Sequence, residues 1–518
     1  MLSAVVGLQA VSLKPKPLVP LISMQDVSHR LITSSPLVPI LLVAVVAWEL
    51  GMLSLKAARQ RFWYDEVFTF NVANLHPYSL HWKALREGVD AMPPGYYLLI
   101  RLVRKLRGDP HIAFRLPSIA TYILSLLGVY WFAIREVPAS AALTAVILMT
   151  LSPFRRYALQ ARPYSLLVGF LAISAALWQR VGGQWYILPL LALFLTLAVS
   201  CHYFAIIAIP SFGVAELTRT LASQQIRLGV WIALCIAIFP FVAGLPLLVQ
   251  FRRNFGRSFF ARPNWTMVFE TYGDYLGLDY KLVVVLVLSF AIAIRDGNLA
   301  LPEAILLACF LLYPAVLVVI TKLLHSGYTP RYGWPAIFGL VLVPLYVFHS
   351  FWFKPSSFWL VLAFLIGFAV QALQDLTSLP KSGSTRADER WSRLAEFSRH
   401  KPGIPVVIGG GLAYMEAIQY SPPELRDRLV RVIDPDSASR FAGWDTADKA
   451  TNILAPYLHL RVEGPAAFRA ANRSFILYSG GAGDWFTHSL IVEGGYQLKL
   501  LWKDRDTDSA VYIAEAPS

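Results

Sequence analysis

Long apolar runs, separated by short polar segments, occupy the chain from about position 32 to position 376. A helix needs about 20 mostly apolar residues to cross the hydrocarbon core of a bilayer. Applied to this chain, the rule predicts a polytopic α-helical membrane protein with about eleven transmembrane helices. The predicted spans cover residues 32–53, 116–134, 139–153, 164–177, 185–199, 204–217, 228–249, 282–294, 305–320, 334–348 and 358–372.

A long polar segment, residues 54–115, separates the first two predicted spans and forms the first loop on one membrane face. Within it, residues 96–104 form an amphipathic stretch that is compatible with a further transmembrane helix. Basic residues in and just after this stretch favour a helix that lies in the plane of the membrane surface instead. They are Arg101, Arg104, Lys105 and Arg107.

The pattern changes after position 376, where short apolar stretches follow a polar linker and a predicted helix at 388–399. Short β-strands are predicted at 406–408, 475–478, 496–502 and 510–514. We therefore expect three parts: an N-terminal cytoplasmic segment (1–31), a membrane domain (32–376) and a small soluble α/β domain (377–518).

A glycine run, Gly409-Gly410-Gly411, follows the first of these predicted strands and precedes a helix-like run to Gln419. A nucleotide-binding loop is one interpretation. The glycine spacing and the acidic residue expected downstream of such a loop are missing. The run therefore favours a tight structural turn.

Composition supports a membrane protein: 56% of the 518 residues are hydrophobic and only 15% are charged, against about 25% charged residues in soluble domains. The formal net charge is +14. No nucleic-acid recognition module is visible, and the arginines cluster in loops between apolar runs, which favours lipid headgroups or phosphates as partners. The three cysteines (Cys201, Cys235 and Cys309) lie in apolar runs, so we expect no disulfide framework.

The adjacent carboxylates Asp65 and Glu66 follow the first predicted span. They could simply be solvated, or could neutralise the nearby Arg59 and Arg61. Alternatively, one of them acts as a general base on an acceptor hydroxyl or holds a divalent cation. Since adjacent side chains point in different directions, we expect Asp65 to do the chemistry and Glu66 to support it.

Three arginines, Arg155, Arg156 and Arg162, lie within eight positions between two predicted spans. At the bilayer centre each would cost roughly 2.5–3.5 kcal/mol on an insertion scale, so they must face water or an anion. They could reach lipid headgroups, or their guanidinium groups could bind a phosphate through paired hydrogen bonds.

Two further groups of polar and aromatic residues lie between predicted spans: His202 with Tyr203, and Tyr328 with Arg331 and Tyr332. Helix-packing hydrogen bonds and an aromatic belt are the alternatives to a ligand site. Counting the spans places these groups, the carboxylate pair, the arginine loop and the C-terminal domain on one membrane face. Basic residues occur on both faces, so the positive-inside rule does not set the orientation.

An ordered set of motifs resembles the GT-C superfamily, the multi-spanning glycosyltransferases that use sugars linked to polyprenyl phosphate. The resemblance is to the branch with protein O-mannosyltransferases and the lipid A aminoarabinose transferase. It covers roughly residues 55–345. The matching pieces are Tyr64-Asp65-Glu66, Pro93-Pro94-Gly95-Tyr96-Tyr97, Arg115-Leu116-Pro117-Ser118, Gln160-Ala161-Arg162-Pro163-Tyr164-Ser165-Leu166, His202-Tyr203-Phe204 and Pro330-Arg331-Tyr332.

The resemblance implies a hexosyl or pentosyl transferase in the bacterial inner membrane, with its active site on the periplasmic or external face. It implies a polyprenyl-phosphate sugar donor, such as one on undecaprenyl phosphate, and a lipid, glycan or protein acceptor, in protein glycosylation or lipopolysaccharide assembly. Asp65, supported by Glu66, would act as base in an inverting transfer. The expected ligands of the lipid phosphate and sugar are Arg155, Arg156, Gln160, Arg162, Tyr164, His202, Tyr203, Tyr328, Arg331 and Tyr332.

One departure from the family pattern concerns metal binding. Many relatives carry a second acidic residue near the arginine loop, and this chain has Gln160 there. We therefore do not expect this loop to bind a metal ion. A divalent cation (Mg²⁺ or Mn²⁺) held by Asp65 is the alternative to its role as a base. A transporter or flippase of lipid-linked saccharides, or a non-catalytic assembly scaffold, are the other function classes. A transporter often shows inverted repeats with broken helices at midplane, and no repeat is seen.

Overall fold

A computed structural model of the chain describes residues 37–517, except 107, 257–258, 276, 278, 296–298, 352–356, 380–385, 481–482 and 505–507. The predicted N-terminal segment, the linker at 381–385 and the side chain of Arg107 lie outside the described residues. Two layers are present: a bundle of apolar helices and, after residue 386, a mixed sheet covered by helices.

Apolar residues in each predicted span form a helix or a bent pair of helices in the bundle. The long apolar helices are α1 (Leu37–Arg59), α5 (Pro110–Ala133), α6 (Ala139–Leu151), α7 (Tyr164–Trp178), α8 (Ile187–Cys201), α9 (Ala208–Ser223), α10 (Leu228–Phe255), α12 (Tyr280–Arg295), α13 (Leu301–Leu311), α14 (Tyr313–Leu323), α15 (Ala336–Phe351) and α16 (Ser357–Thr377).

Within the described residues, four helical stretches are long and apolar enough to cross a membrane, and two bent pairs raise the number to six. Five further apolar helices have 10–17 residues. The chain is therefore an integral membrane protein by its helices. The number of eleven crossings stays a prediction.

Shorter elements connect the bundle. They are α2 (Tyr64–Asn74), α3 (Tyr78–Arg86), α4 (Pro94–Val103), α11 (Thr266–Glu270), the 3₁₀ turns Pro153–Leu159, Tyr203–Ile207 and Pro330–Gly333, and the π turn Thr271–Tyr275. Helix α4 contains most of the stretch that the sequence assigned to the membrane surface. With ten residues it is about 15 Å long, half the hydrocarbon thickness, so it does not span.

Helices α5 and α7 approach each other closely through two glycines. A Cβ atom on Gly169 would lie 2.2 Å from the carbonyl oxygen of Thr121, and one on Gly128 would lie 2.8 Å from the carbonyl carbon of Ala172. Small residues allow the backbones of membrane helices to come into contact. This contact fixes the start of α7, where the arginine loop ends.

The C-terminal part forms a six-stranded sheet in the order β3-β2-β1-β4-β6-β5. Strands β3, β2, β1 and β4 are parallel, while β6 runs antiparallel to β4 and β5. The strands are β1 (Val406–Ile408), β2 (Leu429–Val432), β3 (Val462–Glu463), β4 (Ser474–Ser479), β5 (Gln497–Lys503) and β6 (Ala510–Glu515). The helices are α17 (Arg386–Arg399), α18 (Gly411–Tyr420), α19 (Pro423–Arg426), α20 (Pro435–Ala442), α21 (Thr446–Leu458), α22 (Pro465–Ala471) and α23 (Trp485–Val492).

All four predicted strands are present in this sheet, and the sequence missed β2 and β3. Strand β3 has only two residues, which is too short for any pattern to appear. The four residues of β2 include Arg431, which interrupts the kind of continuous apolar run by which the three-residue β1 was predicted. The glycine run forms a tight turn between β1 and α18. A Cβ on Gly409 would lie 2.3 Å from Asp484 Oδ1, so a carboxylate covers the place where a loop of this kind would hold a phosphate.

The C-terminal part packs directly on the first loop of the membrane part. The Phe62 N–H donates to the Tyr420 hydroxyl at 2.9 Å, and the Tyr457 hydroxyl donates to Glu87 Oε2 at 2.6 Å. Ala450 and Leu454 belong to the hydrophobic core of the bundle, whereas the sheet has two separate clusters of its own.

Candidate active site

Asp65 lies in the first turn of α2, directly after the loop that follows α1. Its Oδ2 atom accepts a hydrogen bond from Arg331 Nη1 at 2.8 Å, and Arg162 Nε lies 3.9 Å from the same oxygen. The three residues are far apart in sequence, and all three line one pocket. The structure therefore brings together a carboxylate and the two guanidinium groups that the sequence singled out.

Glu66, the neighbour of Asp65, points away from this pocket and is fully buried. Its two carboxylate oxygens accept from Arg115 Nε and Nη2, each at 2.7 Å. Oε1 also accepts from the Ala161 N–H at 2.7 Å, and Oε2 from the Trp63 N–H at 3.2 Å. Glu66 therefore joins the start of α2 to the arginine loop.

Arg115 is the second half of this buried pair and makes further bonds to the backbone. It donates to the carbonyl oxygens of Ala57, Gln60 and Arg61 at 2.6–2.9 Å. These contacts hold the end of α1 beside α2. The sequence placed Arg115 in a family motif but did not identify it as a site residue.

The Arg162 side chain is buried and held by several groups. Nη1 donates to Thr69 Oγ1 at 3.1 Å and lies 3.7 Å from Asp90 Oδ2. The backbone of the loop is fixed as well, because the Tyr96 hydroxyl donates to the Ala161 carbonyl oxygen at 2.5 Å. The guanidinium therefore has a defined position between two carboxylates.

Asp90 is a site residue that the sequence reasoning missed. Its Oδ2 accepts from the Tyr97 hydroxyl at 2.5 Å, and its side chain lines the same pocket as Asp65. Burial, and then the charge of Asp90, raise the pKa of Tyr97 well above its ordinary value, which keeps this donor protonated. The signal available was an acidic residue two positions before Met92-Pro93-Pro94-Gly95.

Aromatic residues and His202 form the wall beside Arg331. The Arg331 guanidinium lies 5.6 Å from the Tyr164 ring centre, and the rings of His202 and Tyr332 are 5.4 Å apart. His202 Nδ1 accepts from the Phe204 N–H, so Nε2 carries the proton. His202 lines the apolar cavity, and its Nε2 is buried without a hydrogen-bond partner in the described protein, which leaves it for a ligand. The Tyr164 hydroxyl is also unpartnered there, but Tyr164 is not among the residues that line the Asp65 pocket or the apolar cavity beside it.

Two cavities meet at this site. The pocket with Asp65 has a volume of about 100 Å³. An apolar cavity of about 270 Å³ continues from it and contains His202, Tyr203 and Arg252. The residues common to both are Ala91, Met92, Phe251, Phe255, Phe259 and Tyr332. A polar pocket that opens into an apolar cavity suits an amphiphile with a phosphate head.

Other predicted ligands lie outside the pocket. Arg155 donates to Glu49 Oε2 at 2.6 Å and to both carboxylate oxygens of Asp375, at 3.0 and 2.6 Å. Arg156 is exposed and lies against the ring of Tyr157. These two arginines therefore tie the loop to the bundle or face outward, so the predicted arginine cluster is not brought together.

The remaining three predicted residues also differ in position. Tyr203 donates to the Gly244 carbonyl oxygen at 3.1 Å and lines only the apolar cavity. The Tyr328 hydroxyl is 2.8 Å from Thr271 Oγ1, and Tyr328 is in neither cavity lining. Gln160 is half-buried in the loop before Arg162, and its Oε1 is buried without a hydrogen-bond partner in the described protein.

A divalent cation on Asp65 does not fit these residues. Arg331 already donates to Oδ2, and Arg162 Nε lies 3.9 Å from the same oxygen. A further cation would be repelled by both guanidinium groups. Mg²⁺ and related ions also need several oxygen ligands. Across the described parts of the chain, no three His, Cys, Asp or Glu side chains are grouped to hold a metal ion.

Comparison with known proteins points to one class. The family described as dolichyl-phosphate-mannose-protein mannosyltransferase matches residues 91–243. No curated protein sequence matches the chain significantly. The match confirms the resemblance to the GT-C superfamily, and the family is one of glycosyltransferases.

Two solved structures of ArnT share the fold of this chain. ArnT from Cupriavidus metallidurans in the apo state has a TM-score of 0.55 at 13% identity, covering 92% of this chain and 97% of its own. ArnT bound to undecaprenyl phosphate has a TM-score of 0.53 with the same identity and coverage. The Archaeoglobus fulgidus oligosaccharyltransferase with zinc and sulfate has a TM-score of 0.44 at 10% identity, covering 89% of this chain and 72% of its own.

Proposed function

We propose that this protein transfers a sugar from a polyprenyl-phosphate donor to an acceptor hydroxyl, with inversion at the anomeric carbon. The observation that carries the proposal is the position of Asp65 between Arg331 and Arg162, at the mouth of an apolar cavity. A base, a phosphate site and room for a lipid are the three parts that such a transfer needs.

The donor would bind across both cavities. Its phosphate accepts hydrogen bonds from Arg331 and Arg162, which is the charge-assisted pairing that guanidinium groups favour. The first isoprenoid units lie in the apolar cavity. His202 Nε2, which is unpartnered in the described protein at the wall of the apolar cavity, donates to an oxygen of the phosphate or the sugar. ArnT crystallised with undecaprenyl phosphate has the same fold, which supports a donor of this class.

The transfer is a direct displacement at the anomeric carbon. The acceptor hydroxyl gives its proton to a carboxylate oxygen of Asp65, and its oxygen forms a bond to the anomeric carbon. The bond from that carbon to the phosphate oxygen breaks on the opposite face, and polyprenyl phosphate leaves as an anion. A phosphate monoester has a second pKa near 6, so it leaves without a general acid. One carboxylate therefore suffices where glycosidases use two.

Arg331 has two roles in this scheme. Without donor it pairs with Asp65 at 2.8 Å. A bound phosphate competes for the same guanidinium, which frees the Asp65 oxygen to take the acceptor proton. The two arginines then stabilise the negative charge that grows on the leaving phosphate, so the positive charge comes from the chain and not from Mg²⁺ or Mn²⁺.

We place the protein in a bacterial inner membrane with about eleven crossings, and the pocket on the periplasmic side together with residues 377–518. The direct contacts between the C-terminal part and the first loop support a shared face. No observation favours a transporter or flippase, and the family that matches is a transferase family.

The test is release of polyprenyl phosphate. Purified protein is incubated with native membranes, which supply donor and acceptor, and the lipid products are measured by mass spectrometry. Asp65→Asn should lose at least about 100-fold in turnover, the size expected for a general base. It should still bind undecaprenyl phosphate. Asp436→Asn, an exposed carboxylate in α20, is the control. Wild-type turnover in Asp65→Asn would reject the proposal.

A further inference from the structure

Helix α21 of the C-terminal part turns one face towards the membrane part. Ala450 and Leu454, four residues apart, belong to the hydrophobic core of the bundle and not to either cluster beside the sheet. Thr446 and Ala450, again four residues apart, line the pocket of Asp65. Residues at this spacing share one side of a helix. The same face of α21 therefore joins the core and closes the pocket.

Two groups of contacts hold this face in place. At the start of α21, Thr446 Oγ1 accepts from the Phe260 N–H at 3.2 Å, and the rings of Phe260 and Trp444 are 6.0 Å apart. Near its end, the Tyr457 hydroxyl donates to Glu87 Oε2 at 2.6 Å. The helix is thus fixed to segments on both sides of the pocket, residues 259–260 and the end of α3.

Of the two cavities, the C-terminal part lines the Asp65 pocket and not the apolar cavity. Among the described residues, those that line the apolar cavity lie between Ala91 and Tyr332, all in the membrane part. Thr446 and Ala450 appear in the lining of the Asp65 pocket alone. In the proposed reaction the donor phosphate lies at the two arginines, and its lipid lies in the apolar cavity. Helix α21 then faces the remaining part of the pocket, which is the side from which an acceptor approaches Asp65.

The space at this wall is small. The pocket has a volume of about 100 Å³, against about 270 Å³ for the apolar cavity beside it. Two carboxylates, Asp65 and Asp90, face two guanidinium groups, so the charges of the empty pocket balance. Thr446 and Ala450 add no charge. The pocket suits the slim, uncharged end of a molecule that carries a hydroxyl.

We propose that α21 is the acceptor wall of the active site, and that the small side chains of Thr446 and Ala450 set which hydroxyl-bearing group reaches Asp65. The inference rests on the proposed transfer reaction and gives the C-terminal part a role in it. Ala450 is a specificity-determining residue in this view, because any larger side chain projects into the path of the acceptor.

The test enlarges residue 450 and compares it with a neighbour. Ala450→Val and Ala450→Leu are compared with Asn452→Leu, which puts the same leucine side chain on the exposed side of the same helix. Three quantities are measured: release of polyprenyl phosphate from native membranes, the Kd for undecaprenyl phosphate, and the unfolding temperature. We expect turnover to fall progressively, by at least about tenfold for leucine, with a Kd within about twofold of wild type. Asn452→Leu should match wild type.

The outcomes separate three cases. Wild-type turnover in Ala450→Leu would overturn the acceptor-wall proposal and leave the transfer reaction standing. A parallel loss of turnover, undecaprenyl phosphate binding and unfolding temperature in both Ala450 variants would also overturn it, because it would show a packing role only. If wild-type protein releases no polyprenyl phosphate, the proposed function fails first and the wall proposal fails with it.

Discussion

Two adjacent carboxylates in this chain have different environments. Asp65 borders a cavity and meets arginines from distant loops, while Glu66 is sealed in a pair with Arg115. A buried carboxylate is tolerated when its oxygens are fully hydrogen-bonded and its charge is paired. Glu66 meets both conditions. In the proposed reaction Asp65 takes part in the chemistry, whereas Glu66 fixes the position of α2 and the arginine loop.

The first prediction concerns this buried pair. Glu66→Gln leaves the Arg115 guanidinium buried without its counter-charge, which typically costs about 3–5 kcal/mol. Glu389→Gln is the control, because its pair with Arg393 is exposed and such pairs contribute less than about 1 kcal/mol. The measurement is the temperature at which the detergent-solubilised protein loses its monodisperse peak. Equal temperatures for the two variants would show that the pair does not stabilise the loop.

The second prediction concerns the phosphate site. Arg331→Ala should weaken undecaprenyl phosphate binding by roughly ten- to hundredfold, since a hydrogen bond to a charged group contributes about 1.5–3 kcal/mol. Arg331→Lys should recover only part of the loss, because lysine cannot form paired bonds. Arg440→Ala, in an exposed pair with Glu493, is the matched control. Unchanged affinity in Arg331→Ala would show that Arg331 does not hold the donor phosphate.

At the scale of elements, close helix contacts position the arginine loop. The loop ends where α7 begins, and α7 touches α5 through backbone atoms at Gly169 and Gly128. The loop is also tied to α1 and α16, since Arg155 bonds to Glu49 and Asp375. Four helices and this loop therefore hold one another in position on the membrane side of the site.

The third prediction follows from that contact. Gly169→Ala places a methyl group 2.2 Å from the Thr121 carbonyl oxygen, so the helices must separate, at a cost of about 1–3 kcal/mol or more. Gly51→Ala is the control, because a Cβ there meets nothing within 4 Å and alanine is the better helix former. Heat stability of the purified variants is compared. Equal heat stability of Gly169→Ala and Gly51→Ala would show that α5 and α7 do not depend on close contact at Gly169.

At the scale of the whole molecule, the Asp65 pocket lies where the helix bundle meets the C-terminal part. Short elements and loops between the long helices supply the charged groups, the bundle supplies the apolar cavity, and α21 supplies the opposite wall. The C-terminal part also contributes residues to the hydrophobic core of the bundle. The pocket and residues 377–518 must then share one membrane face.

The fourth prediction tests that topology. Asn452→Cys, on the exposed side of α21, should react with a membrane-impermeant maleimide in intact cells, and Gln184→Cys only after permeabilisation. Helix α7 separates position 184 from the site by 15 residues, which is about 22 Å. Cys235, which is exposed, is replaced by serine in both. Labelling of position 184 but not 452 in intact cells would reverse the orientation.

The order and lengths of the apolar runs determined most of the bundle. Each predicted span coincides with a helix or a bent pair, because hydropathy along the chain depends on local composition alone. The motifs identified Asp65, Arg162 and Arg331 as a set before any distance was known. Short strands such as Val462–Glu463 escaped because two residues carry no periodic pattern.

Only the tertiary structure separated the roles of similar residues. Arg155 and Arg162 look alike in sequence, yet Asp375 reaches the first and Asp65 the second. Contacts with Tyr97 and Arg162 place Asp90 in the pocket, and the packing of α21 against the membrane part places Ala450 there. These assignments depend on which distant segments pack together. Packing brings together positions hundreds of residues apart, and no local pattern of hydrophobic and polar residues encodes those pairs.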